Sequence, residues 1–287
     1  MKSNSEITRR KFIKNMGLGL MGFPLIANGF NDVPPSDKIR IAHIGLGSQG
    51  NTHIRWFSEF NDVDIAALCD VDENRLARSQ KRLSENNIKV DTYNDFRHIL
   101  ERKDIDAITY ATPDHWHALN AIKAFQSGKD VYGEKPLSYC LEEAQIMEKA
   151  CGHYGSIFQL GTQIHATDNY HRIAEIIQSG KLGKIHTVRL WKTGGSPGLG
   201  FPPNEIPPDT LDWNMWLGPA PYSKYNPARC HGSFRHFFDY SGGVFADFWC
   251  HIADIMYMSL HPKGLSSIDA RGEIPKNGIA NTPKWID

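Results

Sequence analysis

The sequence of 287 residues predicts an α/β protein: a doubly wound parallel sheet, then an α+β domain. Three observations carry this. Apolar strands alternate with helical segments from Lys38 to about Gly161. The run Ile41-Ala42-His43-Ile44 enters a Gly45-x-Gly47-x-x-Gly50 turn that opens a helix. Beyond Gly161 the alternation stops, and Thr193–Gly243 is rich in Pro, Gly and aromatic residues with little periodicity.

The elements follow in order. Ile39–Ile44 is the first strand, and a helix follows from about Gln49 to Phe60. Ile65–Cys69 is the second strand; Glu73–Glu85 is helical, with Leu76 and Leu83 on one face. Val90–Tyr93 is a short strand, after which Asp95 can cap a helix over Phe96–Arg102. Ala107–Ala111 and Val131–Gly133 are strands four and five, separated by the helix His117–Ser127 that Gly128 stops. The helix Leu141–Tyr154 precedes strand six, Ile157–Leu160. The second domain opens with the helix Asn169–Ser179 and the strand Ile185–Trp191. A helix over about Ala246–Met258 and a strand over Ser267–Gly272 complete the pattern. Eight aromatic residues between Trp213 and Tyr240 argue that the irregular stretch is ordered. The domains are expected at 38–161 and 162–287, after a leader and linker over 1–37.

That leader reads as a targeting signal. Thr8-Arg9-Arg10-Lys11-Phe12-Ile13-Lys14 is a twin-arginine motif, and the apolar stretch Met16–Phe30 is too short and glycine-rich to span a membrane well. Pro34 and Pro35 mark a linker. The expected destination is the periplasm, reached in the folded state, with no stable membrane span after the signal is removed. Lysines and arginines equal aspartates and glutamates at 32 each, and no basic stripe is evident, so nucleic acid is not an expected partner. The five cysteines (Cys69, Cys140, Cys151, Cys230, Cys250) show no C-x-x-C pair and read as mostly buried thiols.

Three constellations carry chemistry. The first is a dinucleotide site. Gly45 permits the tight turn, Gly47 leaves the backbone open to a pyrophosphate, and Gly50 lets the helix pack on the strand. Leu46, Ser48 and Gln49 complete the turn, where unpaired helix N–H groups meet phosphate. Asp70 ends the second strand about 20 residues past Gly50, where a ribose-binding carboxylate is expected. With Val71 and Asp72 it disfavours a 2′-phosphate, so NAD is preferred to NADP, although Arg75 keeps NADP open.

The second constellation is Glu134-Lys135-Pro136 at the ligand-binding edge of strand five. Lysine there can hold a substrate oxygen and favour developing negative charge. The third is Asp247-x-x-x-His251, one helical turn apart, with Asp247 expected in the first turn of its helix and His251 as general base. Thr112-Pro113-Asp114-His115-Trp116-His117 follows strand four and can touch a cofactor; no ligand spacing supports a metal there.

Together these motifs resemble the glucose-fructose oxidoreductase / inositol dehydrogenase / rhizopine-catabolism (Gfo/Idh/MocA) family, in its exported branch with a twin-arginine leader. The matching residues are the glycine turn, Asp70, Ala111-Thr112-Pro113 with His115 and His117, Glu134-Lys135-Pro136, Gly161-Thr162-Gln163, Trp216-Leu217-Gly218-Pro219 and Asp247-x-x-x-His251. The resemblance implies catalysis by Lys135 and His251 with Asp247 assisting. It places the cofactor against the glycine turn, Asp70, Thr112, Pro113, His115, His117, Glu134, Lys135, Gln163 and Trp216. It implies hydride transfer at a carbinol carbon of a sugar, polyol or sugar derivative. It also implies an open, mostly antiparallel second sheet, here incomplete at its C-terminal end, which would mediate homo-oligomerisation when whole. Two other functions fit the same residues: a glycosidase working by transient oxidation and elimination, and a non-catalytic cofactor- or sugar-binding protein.

Overall fold

The computed structural model describes residues 37–264 and 266–287. The twin-arginine motif, the apolar stretch after it and nearly all of the linker lie outside the described residues. No helix among the described residues is long and apolar enough to cross a membrane.

Six parallel strands form the main sheet: β1 (Ile39–Ile44), β2 (Val63–Cys69), β3 (Asp91–Tyr93), β4 (Ala107–Tyr110), β5 (Asp130–Glu134) and β6 (Phe158–Gly161). Their spatial order is β3-β2-β1-β4-β5-β6. The strand order reverses between β1 and β4, which pair from Ile41↔Ala107 to Ile44↔Tyr110. A crevice opens at such a reversal, outside the C-terminal strand ends.

Alternation along β1 supplies both faces of the sheet. Ile41 turns toward Ile54 of α1 (Ser48–Phe57) and Leu76 and Leu83 of α2 (Glu73–Glu85), in one buried cluster. Ala42 and Ile44 turn the other way. There they meet Ile99 of α3 (Arg97–Glu101), Ala121 and Phe125 of α4 (His117–Gln126) and Met147 of α5 (Leu141–Tyr154). Local chemistry sets the ends. Asp72 Oδ1 accepts from Asn74 N at 2.9 Å to cap α2, and Asp95 Oδ1 accepts from Arg97 N at 2.9 Å before α3. Gly155, left-handed at φ +65°, closes α5.

The second half departs further from expectation. After α6 (Asp168–Gln178), the predicted strand Ile185–Trp191 has no regular structure. It has no neighbouring strand to pair with among the described residues, and Trp191 is 79% exposed. The predicted strand Ser267–Gly272 reduces to β7 (Gly272–Glu273), antiparallel to β8 (Trp285–Ile286). The single late helix is two: α8 (Gly243–Ile252) and α9 (Asp254–Leu260) meet at Ala253, which keeps helical angles of φ −82° and ψ −23°. Among the cysteines only Cys69 is buried; the other four are half-buried, and all five are free thiols.

The aromatic segment is packed. Leu211, Trp213, Trp216, Leu217, Tyr225, Phe234, Phe237 and Tyr240 form a buried cluster around α7 (Trp213–Leu217). The Trp213 and Trp216 rings stack 4.7 Å apart, and Tyr240 meets Trp216 edge-on at 4.8 Å. This cluster docks on the sheet edge through backbone bonds: Asp212 N donates to Val71 O at 3.0 Å and Glu73 N to Thr210 O at 2.9 Å.

Candidate active site

One cavity of about 480 Å³ lies at the β1/β4 reversal. Its cofactor wall begins at the glycine turn. Gly45 has φ +83°, and a Cβ there would lie 2.8 Å from the Ala111 carbonyl oxygen. A Cβ on Gly50 would overlap the Gly45 carbonyl oxygen. Glycine is therefore required at both positions. Gly47 faces the cavity, and a Cβ on it would meet only the Arg75 guanidinium, 2.9 Å away. The turn thus leaves an open cradle at the N-terminus of α1, with an arginine above it. This arrangement fits a pyrophosphate.

Asp70 braces the same turn. Its Oδ2 accepts from Leu46 N at 2.6 Å and its Oδ1 from Asp72 N at 2.9 Å. Burial pushes this carboxyl above the usual range despite the two N–H donors. Leu46 contributes its backbone N–H; its side chain is buried away from the cavity.

Lys135 lies at the other end, after β5. Its Nζ donates to Asp247 Oδ1 at 2.6 Å and to the Asp247 carbonyl at 3.2 Å. The second Asp247 oxygen is 3.1 Å from Arg235 Nε. Burial alone would raise the Asp247 carboxyl, but Arg235 and Lys135 outweigh it and hold it below the usual carboxylate range. The helix dipole is not the cause, because α8 begins at Gly243 and Asp247 falls beyond its first turn. Asp247 packs behind Lys135 and Arg235, which line the cavity. The described residues show no hydrogen bond from it to His251.

His251 lines the cavity as well. Burial and the nearby Lys135 cation lower its pKa below the ordinary histidine value. Its backbone carbonyl accepts from Tyr170 Oη at 3.0 Å, which ties α8 to α6.

Ser48, Gln49, Thr112, Pro113, Glu134, Gln163 and Trp216 share the cavity wall with the residues above. His115 and His117 stand behind it. His115 Nε2 is 3.2 Å from the Trp216 carbonyl, and burial lowers its pKa to about 4. The His117 ring nitrogens face the carbonyls of Pro136 at 2.6 Å and Thr112 at 2.9 Å, joining the ends of β4 and β5. Both histidines hold loops that carry cavity residues.

Among the cavity residues not singled out from the sequence are Arg235, His231 and Gly232. All fall in the aperiodic aromatic segment, where no pattern assigns a facing. His231 Nε2 lies 3.0 Å from Asp72 Oδ2, closing that segment over the β2 end. Asp114 was part of a recognised motif, but its chemistry was not. It is buried, lines the cavity, and its Oδ2 has no hydrogen-bond partner among the described residues.

A reversed-order parallel sheet with a glycine phosphate cradle at its switch point defines a Rossmann-type dinucleotide-binding fold. Residues 39–162 match the family described as "Oxidoreductase family, NAD-binding Rossmann fold", and residues 169–277 match its "C-terminal alpha/beta domain". The chain belongs to the Gfo/Idh/MocA oxidoreductase family.

Among curated relatives, a glycosyl hydrolase family 109 protein of Shewanella pealeana is 34% identical over 124 residues, 41% of this chain and 27% of its own length. The counterpart from Shewanella baltica is 34% identical over 123 residues, with the same coverage. The match therefore spans about a quarter of these relatives. Among solved structures, the WlbA dehydrogenase from Bordetella pertussis, in complex with NADH and UDP-GlcNAcA, has a TM-score of 0.66 at 20% identity. That likeness covers 87% of this chain and 64% of the other. GenD2 from gentamicin A biosynthesis, in complex with NAD, has a TM-score of 0.65 at 17% identity, covering 90% and 63%. Both share the fold.

Proposed function

We propose that the protein is a nicotinamide-dependent oxidoreductase acting on a carbinol carbon of a sugar, polyol or sugar derivative. The observation that carries this reading is the Lys135 ammonium. Asp247 engages it twice, and a lysine has three N–H donors, so one remains for a ligand oxygen. It lines the same cavity as the glycine cradle.

The nicotinamide, when bound, supplies the hydride acceptor or donor. The glycine turn and the start of α1 hold its phosphates, with Arg75 as counter-ion, and Asp70 holds a ribose. The carboxylates of Asp70 and Asp72 near that ribose favour NAD over NADP. Lys135 holds the reacting oxygen and stabilises negative charge on it. His251 Nδ1 is buried without a hydrogen-bond partner among the described residues, and the proton of the hydroxyl is assigned to Nε2. Asp247 keeps Lys135 and Arg235 in place.

A second reading has its own support. The curated relatives carry a glycosyl hydrolase name and match 41% of this chain. A glycosidase that oxidises its sugar transiently would use the same lysine and histidine without net cofactor turnover. One experiment separates the two: free sugars, polyols and aryl glycosides are incubated with the protein and NAD. NADH formation from free sugars supports the dehydrogenase, cleavage without NADH formation supports the glycosidase, and neither result with any compound overturns both. From Thr8–Lys14 we also infer export to the periplasm by the twin-arginine route, and we keep 38–161 and 162–287 as the domain division.

A further inference from the structure

His53 lies on α1, one turn past the glycine cradle, and is completely buried. Its ring is fixed by aromatic neighbours: Trp56 stacks at 6.1 Å and Tyr132 meets it edge-on at 5.2 Å. It makes one side-chain hydrogen bond among the described residues. Nε2 donates to Glu134 Oε1 at 2.9 Å, while Nδ1 has no partner. Gln49 Nε2, also from α1, donates to the same oxygen at 2.8 Å. Among the described residues, Glu134 Oε2 receives only a long bond from Lys135 N, 3.3 Å. Glu134 lines the cavity and immediately precedes Lys135.

We infer that His53 is a positioning residue: from behind the wall it turns Glu134 Oε1 inward and leaves Oε2 for the bound nicotinamide cofactor. The helix that receives the phosphates is thereby joined to the carboxylate beside the catalytic lysine. Burial alone would raise the Glu134 carboxyl, but the His53 and Gln49 donors outweigh it and hold it ionised below the usual range. Lys135, Tyr110, Tyr132 and His251 are other titratable groups near this carboxylate, and among the described residues none donates a side-chain hydrogen bond to it. The inference rests on the proposed cofactor site.

The test is a double-mutant cycle on the full chain, with NADH affinity read by calorimetry and folding by thermal melting. Losing a hydrogen bond to a charged group weakens affinity roughly tenfold in His53→Leu. The same substitution made on Glu134→Gln changes affinity less than about twofold, because the carboxylate it serves is gone. His53→Gln, which keeps an N–H at similar reach, restores affinity to within about threefold of the native protein. If His53→Leu does not fold, His53→Met is compared with His53→Gln in its place. Equal losses in both backgrounds, or an unchanged affinity in the single variant, would overturn the inference while leaving the cofactor site standing. Absence of NADH binding to the native chain would overturn the cofactor site and the inference together.

Discussion

Lys135 and Asp247 stand 112 residues apart in the chain and 2.6 Å apart in space. The first follows the fifth strand of the sheet and the second lies in a helix of the other domain. Their ion pair brings together the two halves of the proposed chemistry, so either residue alone is only part of the site.

Lys135→Ala and His251→Ala are each expected to reduce turnover about 10²–10⁴-fold on the best substrate. Both variants should retain NADH binding by calorimetry; His251→Ala should keep the native melting temperature, whereas Lys135→Ala, which leaves the buried Asp247 carboxylate with Arg235 alone, should melt lower. Near-native turnover in both would locate the chemistry elsewhere.

The glycine turn gives a contrast between neighbours. Gly47→Val places its side chain in the cradle beneath Arg75 and is expected to weaken NADH binding by more than roughly tenfold. Gly50→Ala drives a Cβ into the Gly45 carbonyl and is expected to lower thermal stability first, since backbone must move. Parallel calorimetry and melting curves distinguish the two effects.

Activity should depend on pH through His251. Burial and Lys135 lower its pKa from 6.5, and the unprotonated ring is the base. In the oxidative direction kcat/KM therefore rises with pH to a plateau, with its inflection below 6.5. That inflection should vanish in His251→Asn.

Stability should respond to pH through two other rings. Burial lowers His115 to about 4 and His43 to about 3, from 6.5. The unfolded chain binds protons first, so their contribution is complete above pH 6.5 and is lost as pH falls toward the folded values. Melting temperatures from pH 7 to 4 should decline, and His115→Gln should decline less steeply.

The docking of the aromatic cluster is testable at one bond. Trp116 Nε1 donates to the Trp216 carbonyl at 2.9 Å. Trp116→Phe removes it and is expected to reduce stability by about 1 kcal/mol, read from the urea midpoint.

What was legible follows from how each part is encoded. The parallel sheet was readable because β1, β2, β4 and β5 pair side by side and are bounded by Gly, Asp or Pro turns. The residues lining the cavity at Gly45, Gly47, Ser48, Gln49, Asp70, Lys135 and His251 sit at strand ends or on a helix face, where sequence spacing implies position. Arg235 and His231 were not legible, because the 193–243 segment has no period and its order comes from packing. The Asp247 partners were equally hidden: i, i+4 spacing pointed to His251, whereas the carboxylate is taken by two cations from other elements. Ile185–Trp191 shows the converse, a β-like run without a neighbour to pair with among the described residues.

The positions of Trp116 and Trp216 have an optical consequence. Both line the cavity, and the indole of Trp213 stacks on that of Trp216. Indole emission overlaps the absorption of a reduced nicotinamide, so a cofactor seated here would accept excitation from its own wall. The protein's native fluorescence becomes a label-free gauge of occupancy, in which quenching and sensitised emission report the reduced form and distinguish it from the oxidised one.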